Sequence, residues 1–174
     1  MRRPALLPAL LALLAGCGVQ QRGEMTANEV AAELKGLAIA PGLWDVASEV
    51  VAVRAPNLPI EARDRMIGPR RQHRTCLSPE EAARPSARFL AGRGDNGCVY
   101  ADFAMGNGRM TGTMRCAEPE GGETLARMTG DYRLDSYRLD MTIETPLPDG
   151  ATMEIETRTL GQRIGGCPAR PAGE

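Results

Sequence analysis

A chain of 174 residues is long enough for one ordinary domain with its own core, preceded by a targeting segment. With 25% charged and 43% hydrophobic residues it has a globular composition, and a formal net charge of −1 leaves no basic surplus for phosphates, which argues against nucleic-acid binding. Aromatic residues make up only 3% while methionines number 9, so the core is expected to be built from Val, Ile, Leu and Met.

The N-terminus has the three parts of an export signal. Met1-Arg2-Arg3 is positive, and residues 5–14 form an apolar stretch too short to span a bilayer. Leu14-Ala15-Gly16-Cys17 then resembles the lipobox of bacterial lipoproteins, whose cysteine thiol receives a diacylglycerol before cleavage. The alternative is an ordinary cleaved signal peptide with an incidental cysteine. On the lipobox reading, residues 1–16 are signal peptide and 17–26 a lipidated tether. Residues 27–167 are a single β-rich domain, and 168–174 a disordered tail. Gly18 stands where an aspartate would resemble an inner-membrane retention signal. The expected location is therefore the cell envelope, anchored in the outer membrane by several acyl chains and facing the periplasm.

Cysteine arithmetic points the same way. Five cysteines are an awkward number for an oxidising compartment. With Cys17 lipidated, Cys76, Cys98, Cys116 and Cys167 remain, an even set that reads as two disulfides.

Beyond the tether, Thr26-Ala27-Asn28-Glu29 fits a capping box, and Val30, Leu34 and Leu37 follow at helical spacing, which predicts a helix over 27–35. After Pro41-Gly42 the period becomes two. In 43–54, Trp44, Val46 and Val50 share one parity while Val51 and Val53 take the other, so the strand is covered on both faces or bulged. A second strand is expected over 66–76, interrupted or placed at an edge by Gly68-Pro69. Ser78-Pro79-Glu80-Glu81 starts a short helix that Pro85 limits, with a resumption over 87–90.

The clearest hairpin comes next. Val99, Ala101, Phe103 and Met105 alternate, Asn107-Gly108 supplies a type I′ turn, and Met110, Gly112, Met114 and Cys116 alternate on the return. Residues 118–123 read as a turn-rich linker. Strands follow over 128–134, 137–144 and 153–159, separated by Asp135-Ser136 and Pro148-Asp149-Gly150. The expected fold is mainly β. It is an antiparallel meander of about seven strands, curved or barrel-like, with an N-terminal helix and a short helix between strands two and three.

In the register set by Asn107-Gly108, Cys116 lies on the Phe103 face and Cys98 has the opposite parity. Without a bulge the two cannot meet disulfide geometry. Parity therefore favours Cys76 with Cys98 and Cys116 with Cys167.

Pro41-Gly42-Leu43-Trp44 opening a strand, Cys76-Leu77-Ser78-Pro79-Glu80-Glu81 opening a helix, Cys98 and Cys116 around a hairpin, and Leu160-Gly161 ahead of Cys167 form a recognisable series. It resembles the proteobacterial family of small exported proteins called domain of unknown function 3617, over residues 40–167. The stretch Gln162-Arg163-Ile164-Gly165-Gly166 departs from the pattern by its length, which bears on the placement of Cys167. The resemblance implies an exported β-rich domain and carries no activity to transfer.

No catalytic constellation, cofactor motif or metal site stands out. His73, the only histidine, sits among Arg71 and Arg74 as a strand residue, and its spacing from Cys76 would suit a metal only if that thiol stayed reduced. Asp131, Asp135, Asp140, Glu154 and Glu156 fall on outward parity or in turns, as a solvated face requires. Arg70, Arg71 and Arg74 read as edge-strand protection before a lipid or glycan contact. Trp44 is expected to be a core anchor. The reading that results is an envelope lipoprotein whose non-enzymatic domain has a binding or structural role. The alternatives are a carrier of a small apolar or amphipathic ligand, with a pocket lined by Met105, Met114, Met128, Met141 and Ile143, and an envelope hydrolase without a recognisable motif.

Overall fold

The hydroxyl of Thr26 accepts from the Glu29 backbone N–H while the Glu29 carboxylate accepts from the Thr26 N–H, the reciprocal cap expected of this tetrapeptide. This is the start of the domain in a computed structural model that describes residues 23–36, 39–68, 71–83, 98–118 and 121–168. Cys17, the expected signal peptide and residues 169–174 of the expected tail lie outside the described residues. Helix α1 spans Ala27–Glu33 and tightens into a 3-10 turn at Leu34–Gly36. Just ahead of it, Met25–Thr26 forms a two-residue strand β1 that pairs with Tyr100 and Val99, so the end of the expected tether already belongs to the sheet.

The remaining strands are β2 (Gly42–Arg54), β3 (Arg71–Leu77), β4 (Val99–Gly106), β5 (Arg109–Ala117), β6 (Glu123–Tyr132), β7 (Ser136–Pro146) and β8 (Thr152–Gly165). Every pairing is antiparallel, in the order β1-β4-β5-β6-β7-β8-β2-β3. The architecture is the mainly β meander expected, with one strand more than seven. The sheet is open, with β1 and β3 as its two edges, and does not close into a barrel. Strand β6 starts earlier than the expected 128, and Leu134 falls in the turn after it, 62% exposed. Strand β8 runs on past 159 because β2 and β7 hold it from both sides, glycines included.

Two bulges explain where simple alternation fails. Val50 pairs with Thr157 and Ala52 with Glu156, so Val51 is the extra residue in β2. Trp44 and Val46 are buried before it, and Val53 is buried after it at the opposite parity. In β4, Asn107 and Gly108 have the positive φ values of 51° and 76° that a two-residue type I′ turn demands, and Met105 faces Met110. Ala104 then faces Thr111 while Ala101 faces Thr113, which leaves Asp102 and Phe103 together opposite Gly112. Asp102 takes φ 52° to make this turn of the chain. As a result Tyr100, rather than Val99 and Ala101, shares the buried face with Phe103.

That second bulge overturns the disulfide pairing expected from parity. The extra residue moves Cys98 from opposite Ala117 to opposite Cys116, where the two Cα atoms are 4.2 Å apart and the sulfurs are bonded. Cys76 bonds Cys167 instead, at a Cα separation of 5.5 Å, tying the end of β8 to the edge strand β3.

A second helix, α2 (Ile60–Met66), lies where the sequence suggested no element, and its last residue takes the start of the strand expected over 66–76, which begins only at Arg71. Its signals are present but compressed into seven residues: Pro59 ahead of it, Glu61 in the first turn, Arg63 and Arg65 in the last. Helix α3 (Pro79–Ala83) starts at the expected Ser78 cap, and the Glu81 carboxylate adds the reciprocal bond by accepting from the Ser78 N–H. The resumption over 87–90 lies outside the described residues.

One face of the sheet, here the inner face, carries the core. Over β4, β5 and β6 it is well buried: Val30 of α1 and Leu34 of the 3-10 turn are completely buried in a cluster with Tyr100, Phe103, Met110, Met114, Cys116, Ala126 and Met128. Burying two such aliphatic side chains is worth roughly 1.5–3 kcal/mol each, which offsets the cost of ordering a short helix. Trp44 is 1% exposed, donates from Nε1 to the Ala40 carbonyl at 3.1 Å, and stacks at a tilt on Tyr137. It is the core anchor the sequence led us to expect.

Candidate functional site

The inner face is not covered evenly. Strand periodicity puts Ser48 and Val50 of β2 on the same side as Trp44 and Val46, and register carries that side to Thr159 and Thr157 of β8 and on to Leu139 and Met141 of β7. Of these, only Trp44, Val46 and Leu139 are buried; Ser48, Val50, Met141, Thr157 and Thr159 are half-exposed. Ile143 and Ile155, the next pair along, are half-exposed too.

Helix α2 stands over this part of the sheet. A cavity of about 520 Å³ lies between them, lined by Ser48, Val50, Thr157 and Thr159 from the strands, Arg65 and Met66 from α2, and Arg71 from β3. The volume falls in the range of roughly 300–1,000 Å³ typical of small-molecule sites. Its floor is mixed: Val50 and Met66 are apolar, while the Ser48 and Thr159 hydroxyls bond each other at 3.0 Å.

The outer face has a different chemistry. Arg158 of β8 reaches Asp140 at 2.8 Å and Glu49 at 3.7 Å, and Arg138 reaches Asp140 at 2.6 Å. Arg54 pairs with Glu154 and Glu156, Arg127 with Glu144, and Arg109 with Asp131. The paired guanidiniums hold the Asp140 carboxyl below the usual carboxylate range, the Arg138 hydrogen bond contributing most. A second cavity, of about 470 Å³, opens on this face and is lined by Asp45, Gln72, Asp131, Arg133 and Gln162 among others. Asp45 accepts from Gln72 at 2.6 Å there. Most of these outer carboxylates are thus partners of arginines, largely across strands, as cross-strand pairing of a solvated face predicts, with Arg138–Asp140 a pair within β7.

The other residues singled out from sequence fall as follows. His73 is exposed on the edge strand opposite Val46, and Cys76 is committed to its disulfide, so the pair does not offer a thiolate beside an imidazole. Asp135 sits exposed in the β6–β7 turn. The arginine cluster is split. Arg71 pairs with Ser48 and belongs to the inner face, Arg74 pairs with Asp45 and belongs to the outer, and Arg70 lies outside the described residues. Met114 and Met128 are buried in the core, with Met105, Met141 and Ile143 packed against it, so the expected methionine pocket is largely filled by its own side chains. Arg65 and Met66 were missed because α2 was missed. The acid-to-base polarity of 60–66 was the available signal.

No curated protein and no solved structure matches this chain. One family model does, over residues 39–167, and its description is a protein of unknown function. That span takes in β2 through β8, both disulfides and the groove under α2, and the chain belongs to this family, DUF3617.

Proposed function

We propose that this is an exported lipoprotein, anchored through Cys17 in the outer membrane on its periplasmic side, whose domain binds a small amphipathic ligand without transforming it. The observation that carries the binding reading is the uneven cover of the inner face. Over β4–β6 the inner face is buried in the core that includes Val30 and Leu34, whereas over β7, β8 and β2 half-exposed residues remain, among them Val50, Thr157 and Thr159, which line a cavity of ligand size. Apolar surface rimmed by polar groups is what an amphipathic ligand covers.

The anchor is supported by the cysteines. Cys76 with Cys167 and Cys98 with Cys116 leave Cys17 as the odd one of five, in a lipobox-like setting. Labelled palmitate is expected to enter the protein in its own host and to be lost in Cys17→Ser. Incorporation that survives the substitution, or none at all, rules the anchor out.

A further inference from the structure

Among the described residues two cations border the groove under α2, and no described carboxylate answers either. Arg71 is on the inner face by its register with Ser48, and Arg65 reaches the same cavity from the last turn of α2. Neither forms an ion pair with a described residue. Glu49, the one described carboxylate in the lining, has Oε1 3.7 Å from Arg158 on the outer face. On the outer face Arg54, Arg109, Arg127, Arg138 and Arg158 each face a carboxylate, while Arg74 and Arg133 form no ion pair with a described residue; what sets Arg65 and Arg71 apart is that both line one cavity. Two guanidiniums without a described carboxylate partner, at the rim of one groove whose floor mixes Val50 with hydroxyl groups, fit a ligand that brings the negative charge itself.

We infer that the groove takes a single-chain amphiphile with an anionic head, a carboxylate or a phosphate, its head held by Arg65 and Arg71. The chain lies on Val50 and Met66 and along the half-exposed strip toward Met141 and Ile155. A neutral head would leave both arginines without a partner, and a cationic head would be repelled. This inference rests on the groove being a ligand site.

The test uses the full exported chain carrying Cys17→Ser, which keeps the four paired cysteines, with methyl-labelled methionine so that the Met66 resonance reports on the groove. Laurate, dodecyl phosphate, monolaurin and dodecyltrimethylammonium are titrated separately. Laurate or dodecyl phosphate is expected to shift Met66 and to bind about tenfold tighter than monolaurin, as a charge-assisted contact predicts. In the double variant Arg65→Gln, Arg71→Gln the Met66 shift should persist while that preference falls below about twofold. Which of the two anions binds tighter distinguishes a fatty acid from a phosphate-headed lipid. Equal binding of anionic and neutral chains, or a preference unchanged in the double variant, overturns the inference and leaves the groove as a site. No Met66 shift with any of the four overturns both.

Discussion

The ring of Tyr137 lies directly on Gly161: a Cβ built on that glycine would come within 2.1 Å of Tyr137 Cε1. The two residues face each other across β7 and β8, and the missing side chain lets the ring settle where it also meets Trp44 at a centroid distance of 5.8 Å. Gly161 is therefore required by packing, since its backbone is ordinary strand. Gly161→Ala is expected to cost about 1–3 kcal/mol in urea unfolding, the usual range for overpacking. Gly106→Ala, where nothing lies within 4 Å of the new methyl, should stay within about 0.5 kcal/mol. Equal effects at both sites would contradict the packing account.

Asp102 decides which cysteines meet. Deleting it removes the extra residue of the β4 bulge, returns Cys98 to the face opposite Cys116, and is expected to abolish the Cys98–Cys116 bond. Peptide mapping under non-reducing conditions should find that bond in the parent and not in the deletion. Recovery of a Cys98–Cys116 peptide from the deletion variant would show that the bulge is not what aligns them.

Helix α1 and its 3-10 turn belong to the well-buried half of the inner face. Leu34→Ala is expected to destabilise by about 2–5 kcal/mol, as a buried leucine should, and Thr26→Ala by about 1 kcal/mol through loss of the cap. Val51→Ala, on the bulge of β2 and 41% exposed, should change stability by less than about 0.5 kcal/mol. Chemical denaturation of the three variants gives the ranking directly.

Asp140 links the outer face to acid stability. Its carboxyl titrates lower in the folded protein than unfolded, because Arg138 and Arg158 hydrogen-bond the ionised form. The stabilisation is therefore complete above the unfolded carboxyl's pKa and is lost as pH falls through the folded one. Asp140 is about one-third exposed, so screening limits the effect: Asp140→Asn should cost roughly 0.5–1 kcal/mol at neutral pH. The gap to the parent should close in acid. A gap that stays constant into acid would mean that the aspartate acts through packing and not charge.

Much of this fold was legible where one local signal decided the structure. The Asn107-Gly108 turn, the Thr26 and Ser78 caps and the alternation of Met110 to Cys116 each act over a few residues, and each appears in place. Asp102 was not legible, because a bulge is a choice between two registers that tertiary packing makes, here Phe103 settling over Gly112. Helix α2 escaped because seven residues are too few to display a helical period. With it went half of the candidate site: Arg71 was seen as edge protection, and the residue that joins it, Arg65, sits on that unrecognised helix. The split between Arg71 and Arg74 follows from strand alternation alone and was available once β3 was assigned.

The most direct test of the account is native mass spectrometry on the protein purified from its own envelope, repeated after denaturation. The account predicts a chain beginning at Cys17 with covalent acyl groups, plus a second, non-covalent adduct of acyl-chain mass that disappears on unfolding and is absent in Thr157→Trp, which fills the groove floor. A bare chain in both spectra would contradict it outright. Covalent lipid without any dissociable adduct would leave the anchor and remove the ligand site.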